Sequence, residues 1–257
     1  IYNPSELPLD SIEVAEFIGA MEACSSLSKD KNKPVSLSKM KTLPGNTVLY
    51  PYWDSNGYAI AFGNHWMYEG KKKIAVTADT TIPISRALPT LKDSIREDYG
   101  RIIKNAIRVP VTIQQYAALI SICYNSGGGV ARSNIISELN KGNYAGASAA
   151  IASYKNYSTD KKTGARLSLQ GRRDHERRLF DSGGYPSPTG GVTGSPSNSG
   201  ATPTVDKDGA IDYTKSTQDG KSFADRTGTY PQYRNESAVN RLARGSSQED
   251  KKKKTIV

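Results

Sequence analysis

Val111-Thr112-Ile113-Gln114-Gln115-Tyr116-Ala117-Ala118-Leu119-Ile120-Ser121-Ile122-Cys123-Tyr124-Asn125 is the run on which the fold turns. From Ile113 onward it is apolar on nearly every side, which a helix tolerates only when other elements surround it. Thr112 stands where a helix start needs a side-chain acceptor, and Gly127-Gly128-Gly129 ends the run. A buried central helix over Ile113 to Asn125 is therefore predicted. It implies a helical bundle built around it.

Working outward, residues 85–107 place Leu88, Leu91, Ile95, Tyr99, Ile102 and Ile103 at helical spacing. Pro89 fits there only within the first turn of a helix. Downstream, Ser133 to Asn140, Tyr144 to Tyr154 and a basic stretch from Leu169 to Phe180 read as three further helices. Upstream, Val48 to Phe62 is aromatic and β-prone around Asp54-Ser55-Asn56-Gly57, the pattern of a hairpin. Ser11 to Cys24 reads as a helix with Val14, Phe17, Ile18 and Met21 on one arc, Glu22 at its edge and Glu16 facing away. Between them residues 25–47, rich in Ser and Lys, read as an inserted loop.

Composition divides the chain. Residues 1–186 hold nearly all the apolar periodicity and are expected to form one domain. Residues 187–207 are Pro, Gly and Ser, a linker by composition. Residues 208–257 cannot bury enough apolar surface to offset the entropy of ordering, and are expected to be an extended tail that orders against partner chains. The start at Ile1, without methionine, is what a processed or truncated piece would show.

The 257 residues carry a net charge of +10. Basic proteins seek nucleic acid, anionic surfaces or acidic polymers, and a solvated surface carries such charge equally well. The aromatics sit at core and hairpin positions rather than beside basic clusters, which argues against nucleic acid. Cys24 and Cys123 make no disulfide framework, and Cys123 lies in an apolar run where a buried, unreactive thiol is expected. No stretch approaches the roughly eighteen apolar residues of a membrane span.

The two histidines, His65 and His175, form no metal-spaced cluster with the cysteines, and no glycine loop of phosphate-binding form is present. No metal and no cofactor are expected. What remains is carboxylates. Glycoside hydrolysis needs one that is protonated and one that is ionised. Glu22, at the rim of an apolar face, suits the first role through partial desolvation; Asp54, in a polar turn, suits the second. Glu22 as an ordinary helix-surface residue and Asp54 as a backbone-driven turn former are the bland alternatives.

Several blocks carry a resemblance. Phe17-Ile18-Gly19-Ala20-Met21-Glu22, Tyr52-Trp53-Asp54-Ser55-Asn56-Gly57-Tyr58, Phe62-Gly63-Asn64, the run from Val111 to Ser121, Tyr124-Asn125-Ser126-Gly127, Leu139-Asn140-Lys141-Gly142-Asn143-Tyr144 and Arg172-Arg173-Asp174-His175-Glu176-Arg177-Arg178-Leu179-Phe180 follow in order. Together they resemble the phage-type lysozymes of glycoside hydrolase family 24. The resemblance implies an α+β, two-lobed lysozyme-like fold, a small β-hairpin lobe plus a helical bundle lobe, with substrate across the cleft. It implies that Glu22 is the general acid and Asp54 the second carboxylate of an enzyme that cuts peptidoglycan between N-acetylmuramic acid and N-acetylglucosamine. Arg172 or Arg173 is then a candidate ion partner holding Glu22, with plain surface arginines as the alternative. Tyr52 and Asn64 are candidate cleft residues, and Asn125 serves either the cleft or the fold.

Two departures stand out. Residues 23–53 separate the two carboxylates, where the family has a short connection. The hairpin ends Ala59-Ile60-Ala61-Phe62-Gly63 where the family has T-I-G-y-G, so Ala59 replaces the threonine that helps position the attacking water. A weak enzyme or an inactive structural module is the rival expectation. Ala59→Thr is expected to raise turnover and leave stability unchanged.

Residues 230–244, from Tyr230 to Arg244, resemble a segment of contractile-phage baseplate central spike proteins, in which a lysozyme domain is joined to a trimeric needle. That resemblance implies peptidoglycan as substrate, baseplate hub or spike chains as partners in a homotrimer, and a virion location acting in the host periplasm. A free endolysin for host lysis is the alternative.

Overall fold

The computed structural model describes residues 1–22, 26–28, 31–35, 37–54, 57–159, 164, 166–186 and 192–193. Cys24, most of the linker and the whole tail 208–257 lie outside the described residues. The described residues divide into two units, one of Leu9–Arg101 and one of Ile1–Pro8 with the described residues from 102 to 193. Helix and small antiparallel strand pairs are mixed, as the α+β reading expects.

In the first unit, helix α1 is Ile12–Met21. The Ser11 hydroxyl accepts from the Val14 N–H at 3.3 Å, satisfying one of the free donors of the first turn. Val14, Ala15 and all of Phe17 to Met21 are buried. One apolar arc was expected; the helix is instead enclosed on most sides. Helix α3, Ala87–Ser94, and the short helix α2, Leu37–Met40, pack on it. A β-carbon added at Gly19 would stand 3.3 Å from Cε1 and Cζ of Phe62, so this glycine sets how closely the hairpin loop approaches the helix. Glu16, expected to face away, is held by Lys41 at 2.7 Å and is largely covered.

The helix was expected to run to Cys24 and carry Glu22. It ends at Met21, and Glu22 has extended backbone (φ −112°, ψ 151°). With Ile18 to Met21 all enclosed, one more helical turn would bring a carboxylate into the same closed surroundings. Leaving the helix keeps Glu22 half-buried.

A single hairpin was expected and several strand pairs are found. Tyr52–Asp54 pairs with Gly57–Ala59, with Tyr52 opposite Ala59, Trp53 opposite Tyr58 and Asp54 opposite Gly57. Val48–Leu49 pairs instead with Ile82–Pro83. A second hairpin, Trp66–Glu69 with Lys72–Ala75, turns at Gly70, whose φ of +60° is one that glycine adopts freely. The inserted segment is more than a loop. Ser26–Ser28 pairs with Lys31–Pro34, and Leu37 and Met40 are buried at helical spacing. These two apolar residues in a polar stretch were the overlooked signal.

Pro89 falls in the first turn of α3, where it forfeits no helical bond. The helix then widens to a π turn over Ile95–Tyr99 before helix α4, Gly100–Ala106. The π turn carries Asp98, which accepts from Trp66 Nε1 at 3.1 Å and Tyr68 OH at 2.6 Å and pairs with Lys73 at 3.3 Å. Burial and that carboxylate push the Tyr68 phenol well above its usual pKa. One acidic side chain thus fastens both strands of the second hairpin to the helix.

In the second unit, helix α5 is Ile113–Ser126. Thr112 accepts from the Gln115 N–H at 3.2 Å, and the Gln115 side chain accepts from the Thr112 N–H at 3.0 Å, a reciprocal cap. All ten residues from Gln114 to Cys123 are buried, as the all-round apolar pattern demands. Gly127 ends the helix at φ +83°. Around it lie helices α6, Asn134–Asn140, α7, Tyr144–Ser153, and α8, Gln170–Ser182. Helix α8 packs on both α5 and α7. Gly183 meets the Thr112 hydroxyl so closely that no β-carbon fits there. A strand pair that the sequence reading left unassigned, Tyr157–Thr159 with Arg166–Ser168, joins α7 to α8. Val192–Thr193, inside the expected linker, pairs with Tyr185–Pro186.

Candidate active site

Glu22, Tyr52, Asp54, Ala59 and Asn64 all belong to the Leu9–Arg101 unit. Glu22 follows directly on an apolar helix end and is half-buried. Asp54 is the last residue of its strand, paired in register with Gly57 across the turn. Ala59 is fully buried, and Tyr52, opposite it, is half-buried.

The loop after the hairpin is tightly closed. Ile60 and Asn64 exchange both backbone hydrogen bonds at 2.9 Å. Ala61, standing where the family pattern has glycine, adopts φ +53°, a conformation that costs an alanine about 1 kcal/mol. Ile60, Ala61 and Phe62 are all fully buried, so packing holds the strained residue in place. Asn64 is 4% exposed, and its Nδ2 donates to Ser94 Oγ of α3 at 2.8 Å. Ser94 is a partner that its helix pattern alone gave no reason to single out.

Arg172 and Arg173 lie in the other unit, and they are not surface residues. Arg173 and Glu176 are 0% exposed and Arg172 is 6% exposed. Arg172 Nε stands 3.1 Å from Glu176 Oε1, and Arg173 Nη1 stands 3.1 Å from Glu176 Oε2. Ser121 Oγ of α5 donates to Glu176 at 2.7 Å, and Asn125 Oδ1 accepts from Arg173 Nη2. Asn125 therefore has a bundle role on α5. The spacing of Arg172, Arg173 and Glu176 at i, i+1 and i+4 already held this pairing, since positions three and four apart share a helix face.

His175, two residues after Arg173 on the same helix, is also buried. Burial first, then the charges of Arg178 and Arg172, push its pKa from 6.5 down to about 3. The folded state thus keeps this imidazole neutral where the unfolded chain would protonate it. Stability should be complete above pH 6.5 and fall as pH drops from there toward 3, at up to about 1.4 kcal/mol per pH unit. Chemical denaturation at pH 6.5 and pH 5, for the parent and for His175→Leu, checks this. The variant should show the shallower loss, and parallel losses in both would contradict the assignment.

Comparison with known proteins bears on the same residues. Residues 45–176 match the family described as Phage lysozyme. That span holds the Asp54 hairpin, Ala59, Asn64, the capped α5 and the Arg172, Arg173 and Glu176 cluster; Glu22 precedes it. The chain is 36% identical over 95 residues to an endolysin of Acyrthosiphon pisum secondary endosymbiont phage 1, covering 34% of this chain and 63% of that relative. Among solved structures it is similar to an endolysin from Escherichia coli O157:H7 phage FAHEc1, with 22% identity, a TM-score of 0.49, and coverage of 70% of this chain and 98% of that one. It is also similar to the muramidase domain of SpmX from Asticaccaulis excentricus, with 19% identity, a TM-score of 0.45, and coverage of 66% and 96%. With the family match reaching from the hairpin through the buried α5 to Glu176, the chain belongs to the phage lysozyme family.

Proposed function

We propose that the chain is a muramidase that hydrolyses the bond between N-acetylmuramic acid and N-acetylglucosamine in bacterial peptidoglycan. The observation that carries this reading is the family match over residues 45–176, which takes in the hairpin of Asp54 and the capped central helix. Glu22, half-buried one residue past an apolar helix end, donates the proton to the leaving oxygen. Asp54 assists the water and stabilises the oxocarbenium-like transition state. Arg172 or Arg173 is proposed to orient Glu22, and Tyr52 and Asn64 to line the substrate site. Clearing of peptidoglycan in a zymogram by the purified full chain is the expected result, and absence of clearing would favour the inactive-module alternative.

Ala59 sharpens the expectation. Ala59 is fully buried, and enlarging a buried side chain typically costs about 1–3 kcal/mol, so Ala59→Thr is expected to lower stability by about that much. From sequence alone the expectation is little change in stability, and thermal unfolding of the variant decides between the two. The added hydroxyl supplies the donor and acceptor that alanine lacks, and kcat on peptidoglycan should rise by up to about 10²-fold. An unchanged rate in a folded variant would mean that another group already holds the water.

We further propose that the domain works as part of a phage tail spike during cell-envelope penetration, in a homotrimeric assembly with other baseplate chains. The resemblance of residues 230–244 and the polar composition of 187–257 support this. The identity to an endolysin supports the second reading, a free enzyme released for host lysis. Mass spectrometry of purified virions separates them: the spike reading requires stoichiometric chain in the particle, and the free enzyme requires its absence.

A further inference from the structure

Trp53 is the most exposed large hydrophobic side chain among the described residues, at 62%, and its cross-strand partner Tyr58 is 36% exposed. Their rings meet edge to face, with centroids 5.1 Å apart and planes at 87°. Alternation along a strand sends neighbouring side chains to opposite faces. The Tyr52 and Ala59 pair is the inward one, with Ala59 fully buried, so Trp53 and Tyr58 form the outward face of the same hairpin. An outward face of a two-stranded pair is ordinarily polar, and two aromatics there depart from that pattern.

The backbone beneath the pair is fixed by its neighbours. Register fixes both strands, and the Tyr58 carbonyl lies 3.0 Å from His65 Nδ1. A perpendicular arrangement leaves the flat face of at least one ring open to an incoming group. The negative face of an aromatic ring suits the weakly positive C–H groups of a pyranose ring, and the indole N–H suits its hydroxyl and acetamido oxygens. Trp53 immediately precedes Asp54, so whatever binds the pair is held beside the hairpin that carries the second carboxylate.

We infer that Trp53 and Tyr58 form a second carbohydrate-binding surface, on the outward face of the hairpin, that takes an N-acetylhexosamine stretch of a cell-wall glycan strand other than the one being cut. This rests on the muramidase reading for its choice of polymer. An insoluble mesh presents many strands at once, and a weak second contact raises the effective concentration of the first without taking part in the chemistry.

The test uses the full chain with Glu22→Gln, so that the polymer is not consumed, and measures co-sedimentation with purified sacculi. Adding Trp53→Ala and Tyr58→Ala should raise the half-saturating sacculus concentration about three- to tenfold. Trp53→Phe, which keeps a ring, should lie near the parent. With Glu22 intact, the double variant should raise the apparent KM on sacculi by a similar factor while kcat stays within about twofold. Sacculus binding by the double variant equal to the parent's would overturn the inference. Trp53-dependent binding to phosphatidylethanolamine and phosphatidylglycerol vesicles, with sacculus binding unaffected, would overturn it in favour of a membrane surface. An inactive parent that still shows Trp53-dependent sacculus binding would remove the muramidase reading and leave this one standing. An active parent whose binding ignores Trp53 would do the reverse.

Discussion

Glu22→Gln is expected to remove peptidoglycan clearing while the protein stays folded. The exchange keeps the size and hydrogen-bonding shape of the side chain and deletes the proton that the leaving oxygen needs. Loss of a general acid typically costs two or more orders of magnitude in rate, and a zymogram reads such a loss directly. Glu22 sits one residue past the end of α1, half-buried, and glutamine enters without a steric cost, with thermal unfolding as the check that the variant stays folded. Its neighbour in the pattern, Glu16, provides the contrast. It is bound to Lys41 at 2.7 Å, and Glu16→Gln should leave clearing intact. Equal clearing by Glu22→Gln and the parent would remove Glu22 from the mechanism.

Glu176→Ala should be the most destabilising single change at the sites considered. Glu176 is fully buried and meets Arg172 and Arg173, each at 3.1 Å, one on each carboxylate oxygen. Removing it takes away the carboxylate that both guanidinium groups share in a poorly solvated interior. Breaking a buried ion pair in this way costs about 3–5 kcal/mol, far more than an exposed pair, whose loss costs about 0–1 kcal/mol. Glu138, paired with exposed Lys141 at 2.7 Å, is the matched surface case, and Glu138→Ala should cost well under half as much. For a domain of this size the Glu176 loss corresponds to a fall in Tm of about 10 °C. A fall of only a degree or two would mean that other groups in the bundle compensate both arginines.

Much of the helical unit was legible in the sequence, and α5 explains why. A helix apolar on every side has one physical solution, enclosure, and Thr112, Gln115 and Gly127 mark its ends by local hydrogen bonding and backbone freedom. The Tyr52 to Ala59 hairpin was legible for the same kind of reason, since Asp54-Ser55-Asn56-Gly57 favours a turn whatever surrounds it. The second hairpin around Gly70 and the helix holding Leu37 and Met40 were overlooked because a few apolar residues among lysines give little periodicity to read. Surface arginines were the alternative reading for α8, yet Arg172 and Arg173 are buried, because charge pairing along one helix face overrode the ordinary preference of arginine for solvent.

The sequence by itself determined the elements whose causes are local: helix caps, the turn residues of the Asp54 hairpin, the all-round burial of α5, and the presence of Glu22 and Asp54 as candidate carboxylates. Tertiary structure alone decided that α1 stops at Met21 and sets Glu22 on extended backbone, that Phe62 lies against Gly19, and that Ala59 is fully buried. It also decided that Trp53 and Tyr58 face outward as a pair. The division follows from range. Backbone hydrogen bonding and dihedral preference act between residues a few positions apart, whereas burial and contact depend on segments that only folding brings together.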